Sequence, residues 1–352
     1  MELSRRKAIK SMVAASIAGI FFGDSSRAQA REDSQESMIN VMLPRSYSPP
    51  LYGKKSIDYQ YRLKIAIMDY LQDNYSHSHL PFWKCKLKDI DMEKRMLNII
   101  HWIIQSLKKL ESNQYKPDPA WILAQIMKES YFYEFALSGD FAAGICQFIP
   151  STAKYKDMIT PDNTDLNKSS LHRPDLADQL QRYRNLLGKV GELESQYSQL
   201  FVYDREFLYN LLQAKAQGRD FPAAKEYMQV LTEAKDLREE IKQARKNYRQ
   251  FLLANYKGKN IFDPADRRFF EQFDQRVLYK APISAMVNMM SNNLRARHGN
   301  ILTATAGYNA GLSRTYSSKG QYENYGKFPA MQETTTYVSR ILINHHEIAK
   351  RM

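Results

Sequence analysis

The stretch Lys128–Ala153, "KESYFYEFALSGDFAAGICQFIPSTA", contains few side chains that could do chemistry. Aromatic, small and apolar residues follow Glu129, and only Glu134 and Asp140 offer further carboxylates nearby. An apolar pocket raises the pKa of a carboxyl group, so Glu129 could hold a proton near neutral pH and act as a general acid. From these residues alone, the segment predicts either such an acid or an ordinary carboxylate at a helix end.

The residues before this stretch predict the helix that carries Glu129. Asp118 is a favourable N-cap, Pro119 suits a first helical turn, and "AWILAQIMKES" continues the helix. Further upstream, apolar residues recur at steps of three and four and predict one apolar helix face: Met96, Ile100, Ile103, Leu107 and Leu110. No segment alternates convincingly with period two, so we predict a mainly α fold with little sheet.

The spacing of the opening stretch resembles the soluble lytic transglycosylase family, whose catalytic domain has a goose-lysozyme-like helical fold. The family pattern is E-S-x-F, then S-x-x-G-A-x-G-L-M-Q-x-x-P-x-T-A. Ten residues match it in register: Glu129, Ser130, Phe132, Ser138, Ala142, Gly144, Gln147, Pro150, Thr152 and Ala153. Two later segments, "GYNAG" at 307–311 and "ETTTYV" at 333–338, resemble the family's A-Y-N-A-G and E-T-x-x-Y-V. The resemblance covers about residues 119–155 and 281–352.

The resemblance implies a role for each matching residue. Glu129 corresponds to the catalytic acid and base of the family. Six further residues correspond to positions of the family's substrate site: Ser138, Gln147, Tyr308, Asn309, Glu333 and Tyr337. Of these, Tyr308 corresponds to the Tyr whose hydroxyl approaches the catalytic carboxylate. No metal or cofactor is implied. Phe141 stands where the family has Gly, and we expect its ring to narrow or reshape the groove.

The implied reaction is a substrate-assisted cleavage of peptidoglycan glycan strands. Glu129 would protonate the oxygen of the β-1,4 bond between N-acetylmuramic acid and N-acetylglucosamine, and the N-acetyl group would stabilise the charge that develops. Glu129 would then deprotonate the sugar's own O6 hydroxyl, which closes a 1,6-anhydro ring. Two alternatives remain open: a goose-type lysozyme in which Asp140 or Glu134 activates water, and a non-catalytic envelope scaffold that binds peptidoglycan.

Residues 156–280, between the motif segments, are rich in charges of both signs and contain two apolar seams. The first seam comprises Leu176, Leu180, Tyr183, Leu187 and Val190. The second comprises Tyr227, Val230, Ala234, Leu237, Ile241, Ala244, Tyr248 and Phe251. This pattern predicts a long antiparallel helical hairpin of coiled-coil type, inserted into the catalytic domain and separable from catalysis. The hairpin either packs only on itself or docks an envelope protein partner.

Residues 1–30 have the features of a signal peptide. A basic start precedes the apolar run "SMVAASIAGIFFG" and the cleavage site Ala28-Gln29-Ala30. Ser4-Arg5-Arg6 with Lys10 resembles the twin-arginine export signature, while ordinary Sec export stays open. We therefore expect an exported protein of the periplasm or cell envelope without a permanent membrane span. Residues 31–56 are predicted to be a flexible tether and residues 57–118 an N-terminal helical region.

Charge and cysteine content add two expectations. The formal net charge of +13 would draw the protein to anionic envelope surfaces, and no motif for nucleic-acid binding is present. Cys146 lies in an apolar stretch and is predicted to be a buried free thiol, although a pair with Cys85 stays open. The histidines show no ligand spacing, so we predict no metal site.

Overall fold

The computed structural model describes residues 41–161, 174–196, 222–317 and 324–352, with a few residues between 209 and 218. Ten α-helices lie in these ranges: α1 (Gly53–Tyr75), α2 (Met92–Lys108), α3 (Pro119–Ser130), α4 (Pro150–Tyr155), α5 (Pro174–Gln196), α6 (Pro222–Tyr256), α7 (Pro264–Phe273), α8 (Lys280–Ala296), α9 (Ile301–Ala310) and α10 (Gln332–Lys350). Isolated bridges such as Leu137 with Ala143 are the only β pairing in the described part. The mainly α fold is confirmed. The predicted signal peptide lies outside the described residues.

Helix α3 runs through the centre of the fold. The Asp118 side chain accepts a hydrogen bond from the Ala120 amide at 3.0 Å, which is the predicted N-cap. All residues from Pro119 to Met127 are buried. Glu129, in the last turn, keeps partial exposure. The helix therefore carries this carboxylate from the core to a half-buried position at the core's edge.

The N-terminal part packs on the same core. The predicted apolar face is confirmed, because Leu110, just beyond the end of α2, is buried, as are four residues of the helix: Met96, Ile100, Ile103 and Leu107. The tether predicted over residues 31–56 is too long, since Leu43 and Leu51 are also buried and the Leu43 amide donates to the Gly299 carbonyl oxygen at 2.8 Å. Leu43 and Leu51 therefore pack this segment against the core, together with Tyr47.

Helices α5 and α6 pack against each other in antiparallel orientation. Arg182 forms an ion pair with Glu240 at 3.5 Å, whereas Leu193, later on α5, packs with Val230, earlier on α6. The predicted first seam is partly wrong, because Leu187 is exposed while Leu186 and Leu193 are buried. Steps of three and four from Tyr183 fit both sets, so periodicity alone could not choose between them.

The last part of α6 leaves this pair and joins the main core. Tyr248, Phe251 and Leu252 are buried there, as are the aromatic residues Phe269, Phe270 and Phe273 of α7. The insertion predicted over residues 156–280 therefore shares a core with the motif segments from Tyr248 onward, and also through Met158 near its start. A separable hairpin module stays a prediction. Within the described residues, no helix combines the length and hydrophobicity needed to cross a bilayer.

Candidate active site

Glu129 is held by two side chains at the end of α3. The Tyr337 hydroxyl, on α10, donates a hydrogen bond to Glu129 Oε1. Gln125 Nε2, one turn earlier on α3, approaches the same oxygen at 3.4 Å and also donates to the Tyr337 hydroxyl. Lys128 Nζ lies 5.3 Å from the centroid of the Tyr337 ring. Two helices distant in sequence thus fix one carboxylate between them.

The pKa of Glu129 is raised from 4.5 to about 7, and the largest cause is burial, which disfavours the carboxylate. The hydrogen bond from Tyr337, the charge of Lys128 and the hydrogen bond from Gln125 act in the opposite direction, because each stabilises the anion. Near neutral pH both protonation states are therefore well populated. Such a group can donate a proton and later accept one.

Tyr308 and Cys146 lie on another side of the carboxylate. The Tyr308 hydroxyl, on α9, donates to the Cys146 carbonyl oxygen at 2.9 Å. Burial, and then the charge of Glu129, raises the pKa of the Cys146 thiol well above its usual range. Burial likewise raises the pKa of Tyr308, with Cys146 and Glu129 contributing. Cys85 and Cys146 are free thiols.

Ser138 organises the loop that follows α3. Its hydroxyl oxygen accepts hydrogen bonds from the backbone amides of Ala142, at 3.0 Å, and Asp140, at 3.2 Å. The Ser138 amide donates in turn to the Ala142 carbonyl oxygen at 2.9 Å. These bonds close residues 138–142 into a compact turn with Ser138 half-buried at its base.

Gln147 supports the same loop from its other end. Its side-chain nitrogen donates to the carbonyl oxygens of Ala136, at 3.1 Å, and Gly144, at 2.8 Å. Gly144 has a φ of 78°, and a Cβ atom there would lie 1.8 Å from the carbonyl oxygen of Arg276. Only glycine fits at this position of the motif. The nitrogen of Gln147 binds protein backbone, which leaves its oxygen as the group that could reach a ligand.

Asn309 links α9 to α10, and Glu333 lies at the rim of the site. Asn309 Oδ1 accepts a hydrogen bond from the Thr334 hydroxyl at 3.0 Å. Glu333 is exposed and borders a depression of about 460 Å³. That depression is lined by Lys128, Gln332, Glu333, Thr336 and Tyr337. Tyr337 therefore contacts both the open depression and Glu129.

Residues 106–176 match the family model described as Transglycosylase SLT domain. The resemblance to the soluble lytic transglycosylase family is confirmed. The matched segment begins within α2 and contains α3 with Glu129 and the loop with Ser138 and Gln147. The later motifs at 307–311 and 333–338 lie beyond it and rest on the resemblance of their residues. No curated protein and no solved structure gives a significant match.

Phe141 differs from the family pattern, and the structure places its ring away from the depression beside Glu129. The ring is buried and packs edge-on against Tyr248, at 4.9 Å between centroids, and Tyr183, at 5.8 Å. The ring therefore does not line this depression, and an effect of Phe141 on the groove stays a prediction. Its φ of 61° is a conformation that favours glycine, which the family has at this position. Burial of the ring against α5 and α6 offsets that strain.

The two other acids of the opening stretch are occupied elsewhere. Glu134 is buried, lies 2.8 Å from Arg95 Nε and accepts a hydrogen bond from the Tyr279 hydroxyl. Asp140 is exposed and pairs with Arg245 of α6. Among the described residues, no cluster of three or more His, Cys, Asp or Glu side chains could hold a metal ion.

One residue of the site was missed at the level of sequence. Gln125 binds both Glu129 and Tyr337, and it lies four residues before Glu129, a spacing that brings side chains together on a helix. That spacing was the available signal. A glutamine at this position also suits an ordinary helix, so the signal is weak.

Proposed function

We propose that this protein is a peptidoglycan lytic transglycosylase, a carbon–oxygen lyase that cleaves the β-1,4 bond between N-acetylmuramic acid and N-acetylglucosamine. One observation carries the proposal: a carboxyl group, Glu129, has a pKa of about 7 and is held by Tyr337 beside an open depression. A group that must act first as acid and then as base works best when its pKa lies near the operating pH.

The proposed reaction proceeds in two proton transfers through one residue. Protonated Glu129 gives its proton to the glycosidic oxygen as the bond to the anomeric carbon breaks. The N-acetyl oxygen of the same sugar stabilises the positive charge on that carbon. The Glu129 carboxylate then takes the proton of the O6 hydroxyl, whose oxygen bonds to the anomeric carbon. Glu129 ends as it began, and no water is consumed.

The surrounding groups suit these two states of Glu129. The hydrogen bonds from Tyr337 and Gln125 stabilise the carboxylate in the middle of the reaction, while burial keeps the acid available at the start. We propose that Ser138, Tyr308 and Asn309 contact the sugar and that the oxygen of Gln147 does so too. Glu333 and Tyr337 would line the groove for the glycan strand.

A hydrolase of the same fold is one of two alternatives. It would need a second acid positioned to activate water. Glu134 is bound by Arg95 and Tyr279, and Asp140 pairs with Arg245. These contacts disfavour both candidates. A non-catalytic scaffold is disfavoured because Glu129, whose pKa is raised by burial, is held by Tyr337 beside an open depression, an arrangement that binding alone does not require.

The location we propose is the periplasm or cell envelope. The signal-like residues 1–30 and the net charge of +13 support export to a compartment with anionic surfaces. We also propose that the outer part of the α5–α6 pair docks an envelope protein, because the sequence of residues 156–280 is rich in charges of both signs.

The deciding experiment is digestion of purified sacculi by the protein from residue 31 onward, followed by mass spectrometry of the released muropeptides. We expect 1,6-anhydro ends, which are lighter by one water than the products of a hydrolase. Reducing ends would support the lysozyme alternative, and no release by the folded protein would support the scaffold. Glu129→Gln is the control that separates this site from a contaminating enzyme.

A further inference from the structure

Two arginine side chains of α6 donate hydrogen bonds to the backbone of the loop that contains Ser138. Arg249 Nη1 donates to the Ser138 carbonyl oxygen at 2.6 Å, and its Nη2 donates to that of Leu137 at 3.0 Å. Arg245, one turn earlier, donates to the Gly139 carbonyl oxygen from Nη2 at 2.6 Å and from Nε at 3.0 Å. Three consecutive carbonyl groups are thus bound by two guanidinium groups from one face of α6.

The next two residues of the loop also contact α6. The Asp140 carboxylate pairs with Arg245. The ring of Phe141 packs edge-on against Tyr248, and the Arg245 guanidinium lies 5.6 Å from its centroid. Every residue from Leu137 to Phe141 therefore meets α6 through its carbonyl, its carboxylate or its ring.

These contacts have a particular geometry. A guanidinium group presents its donors in a planar fork, and its hydrogen bonds are stronger than those between neutral groups. Arg249 binds the carbonyl groups of two successive peptide units, so it fixes the orientation of the peptide planes on both sides of the Ser138 Cα atom. The Ser138 hydroxyl closes the turn through the amides of Asp140 and Ala142.

We propose that Arg249, assisted by Arg245, is a positioning residue for the active-site loop, so that α6 sets the place of Ser138 against the bound sugar. Arg249 contacts protein backbone and is not itself a catalytic residue. The inference rests on the proposed function, because it assigns Ser138 to substrate binding. The part of α6 that contains Arg245 and Arg249 therefore supports the active site.

The first test compares Arg249→Ala with Arg249→Lys and with Lys246→Ala, which changes an exposed residue on the same helix. Initial rates on soluble glycan strands give kcat and KM, and thermal melts check folding. We expect Arg249→Ala to lower kcat/KM about tenfold or more, mainly through KM. Arg249→Lys should recover part of the loss, since it keeps a charge and one donor, and Lys246→Ala should match wild type. Wild-type kcat/KM in folded Arg249→Ala would overturn the inference.

A double-mutant cycle separates positioning from general stabilisation. If Arg249 acts through Ser138, Arg249→Ala should cost little more once Ser138→Ala is already present. Additive losses would overturn the inference. If Arg249→Ala does not fold, Arg249→Lys takes its place in the cycle, and the same two outcomes decide.

Hydrogen exchange of the loop gives a readout that does not depend on activity. The amides of residues 138–142 should exchange at least several-fold faster in Arg249→Ala than in wild type, while those of α3 stay unchanged. Equal exchange rates of the loop amides in the two proteins would refute the proposal that Arg249 holds the loop, whatever the measured activities are. If wild-type protein releases no anhydro ends, the proposed function fails, and this measurement still decides whether α6 holds the loop.

Discussion

The Tyr337 hydroxyl donates a hydrogen bond to the Glu129 carboxylate although 208 residues separate the two in sequence. The bond exists because α10, which carries Tyr337, packs along α3, which carries Glu129. The last helix of the chain therefore completes a site that begins in its first half. This bond is also one of the contacts that lower the pKa of Glu129 against the effect of burial.

Removal of that hydrogen bond should move the pH profile. In Tyr337→Phe the Glu129 anion loses a donor, so the pKa of Glu129 should rise further above about 7. The alkaline limb of kcat/KM, along which the acid loses its proton, should then shift upward by about one pH unit. Tyr70→Phe is the matched control, because that hydroxyl bonds Asn344 of the same helix at 2.9 Å. An unmoved or acid-shifted limb in Tyr337→Phe would contradict the assignment.

Glu129→Gln should abolish cleavage and leave folding and peptidoglycan binding nearly intact. The amide has almost the shape of the acid, but it cannot donate a proton and then accept one. Release of anhydro-muropeptides and pull-down with sacculi measure the two properties separately. Turnover above a few per cent of wild type would exclude Glu129 as the acid and base.

Glu129→Gln should also raise the free energy of unfolding, and the increase should be larger at high pH. The pKa of Glu129 is about 7 in the fold and about 4.3 when unfolded. Its contribution to stability is therefore fully present below about pH 4.3 and is lost as the pH rises through 7. Since Gln does not ionise, its advantage in the free energy of unfolding should grow by about 1–3 kcal/mol between pH 5 and pH 8. Urea unfolding at both values measures this, with Glu333→Gln, an exposed carboxylate, as the control. An advantage that is equal at both pH values would contradict the raised pKa.

Phe141→Gly should destabilise the protein instead of opening the groove. Glycine relieves the strained φ of 61°, but loss of the buried ring leaves a cavity between the loop and Tyr183 and Tyr248. The net cost should be about 2–4 kcal/mol in the free energy of unfolding. Urea unfolding and rates on sacculi are the measurements. Higher activity in a stable variant would restore the view that the ring obstructs the substrate.

The parts that sequence predicted well are those with local causes. Asp118 and Pro119 start α3 by capping, as the sequence predicts. The E-S-x-F spacing lies within the segment that matches the transglycosylase family model, and the catalytic role of Glu129 stays a prediction. The binding of the loop by Arg245 and Arg249 could not be predicted, because these arginines lie among many charged residues that resemble a solvated helix face. The burial of Leu43 was not predicted either, since one apolar residue in a polar stretch gives no periodic signal.

Truncation of the α5–α6 pair at two lengths should separate its outer part from its base. The outer part has a small core of its own, formed by Leu193, Val230 and Ala234. Replacement of residues 189–234 with a short Gly/Ser linker keeps Arg245 and Arg249 on the loop, so folding and release of anhydro ends should stay close to wild type.

Replacement of residues 176–256 is the deletion that the sequence alone suggests to be harmless, and we now expect it to fail. It removes both arginines together with Tyr248 and Phe251, which lie in the main core. Thermal melts should show loss of stability, and any folded fraction should cleave sacculi at least about tenfold more slowly. Near-wild-type rates after the longer deletion would mean that α6 does not shape the site. If the shorter deletion already abolishes activity, the outer part has a catalytic role. That result would contradict the docking role proposed for it.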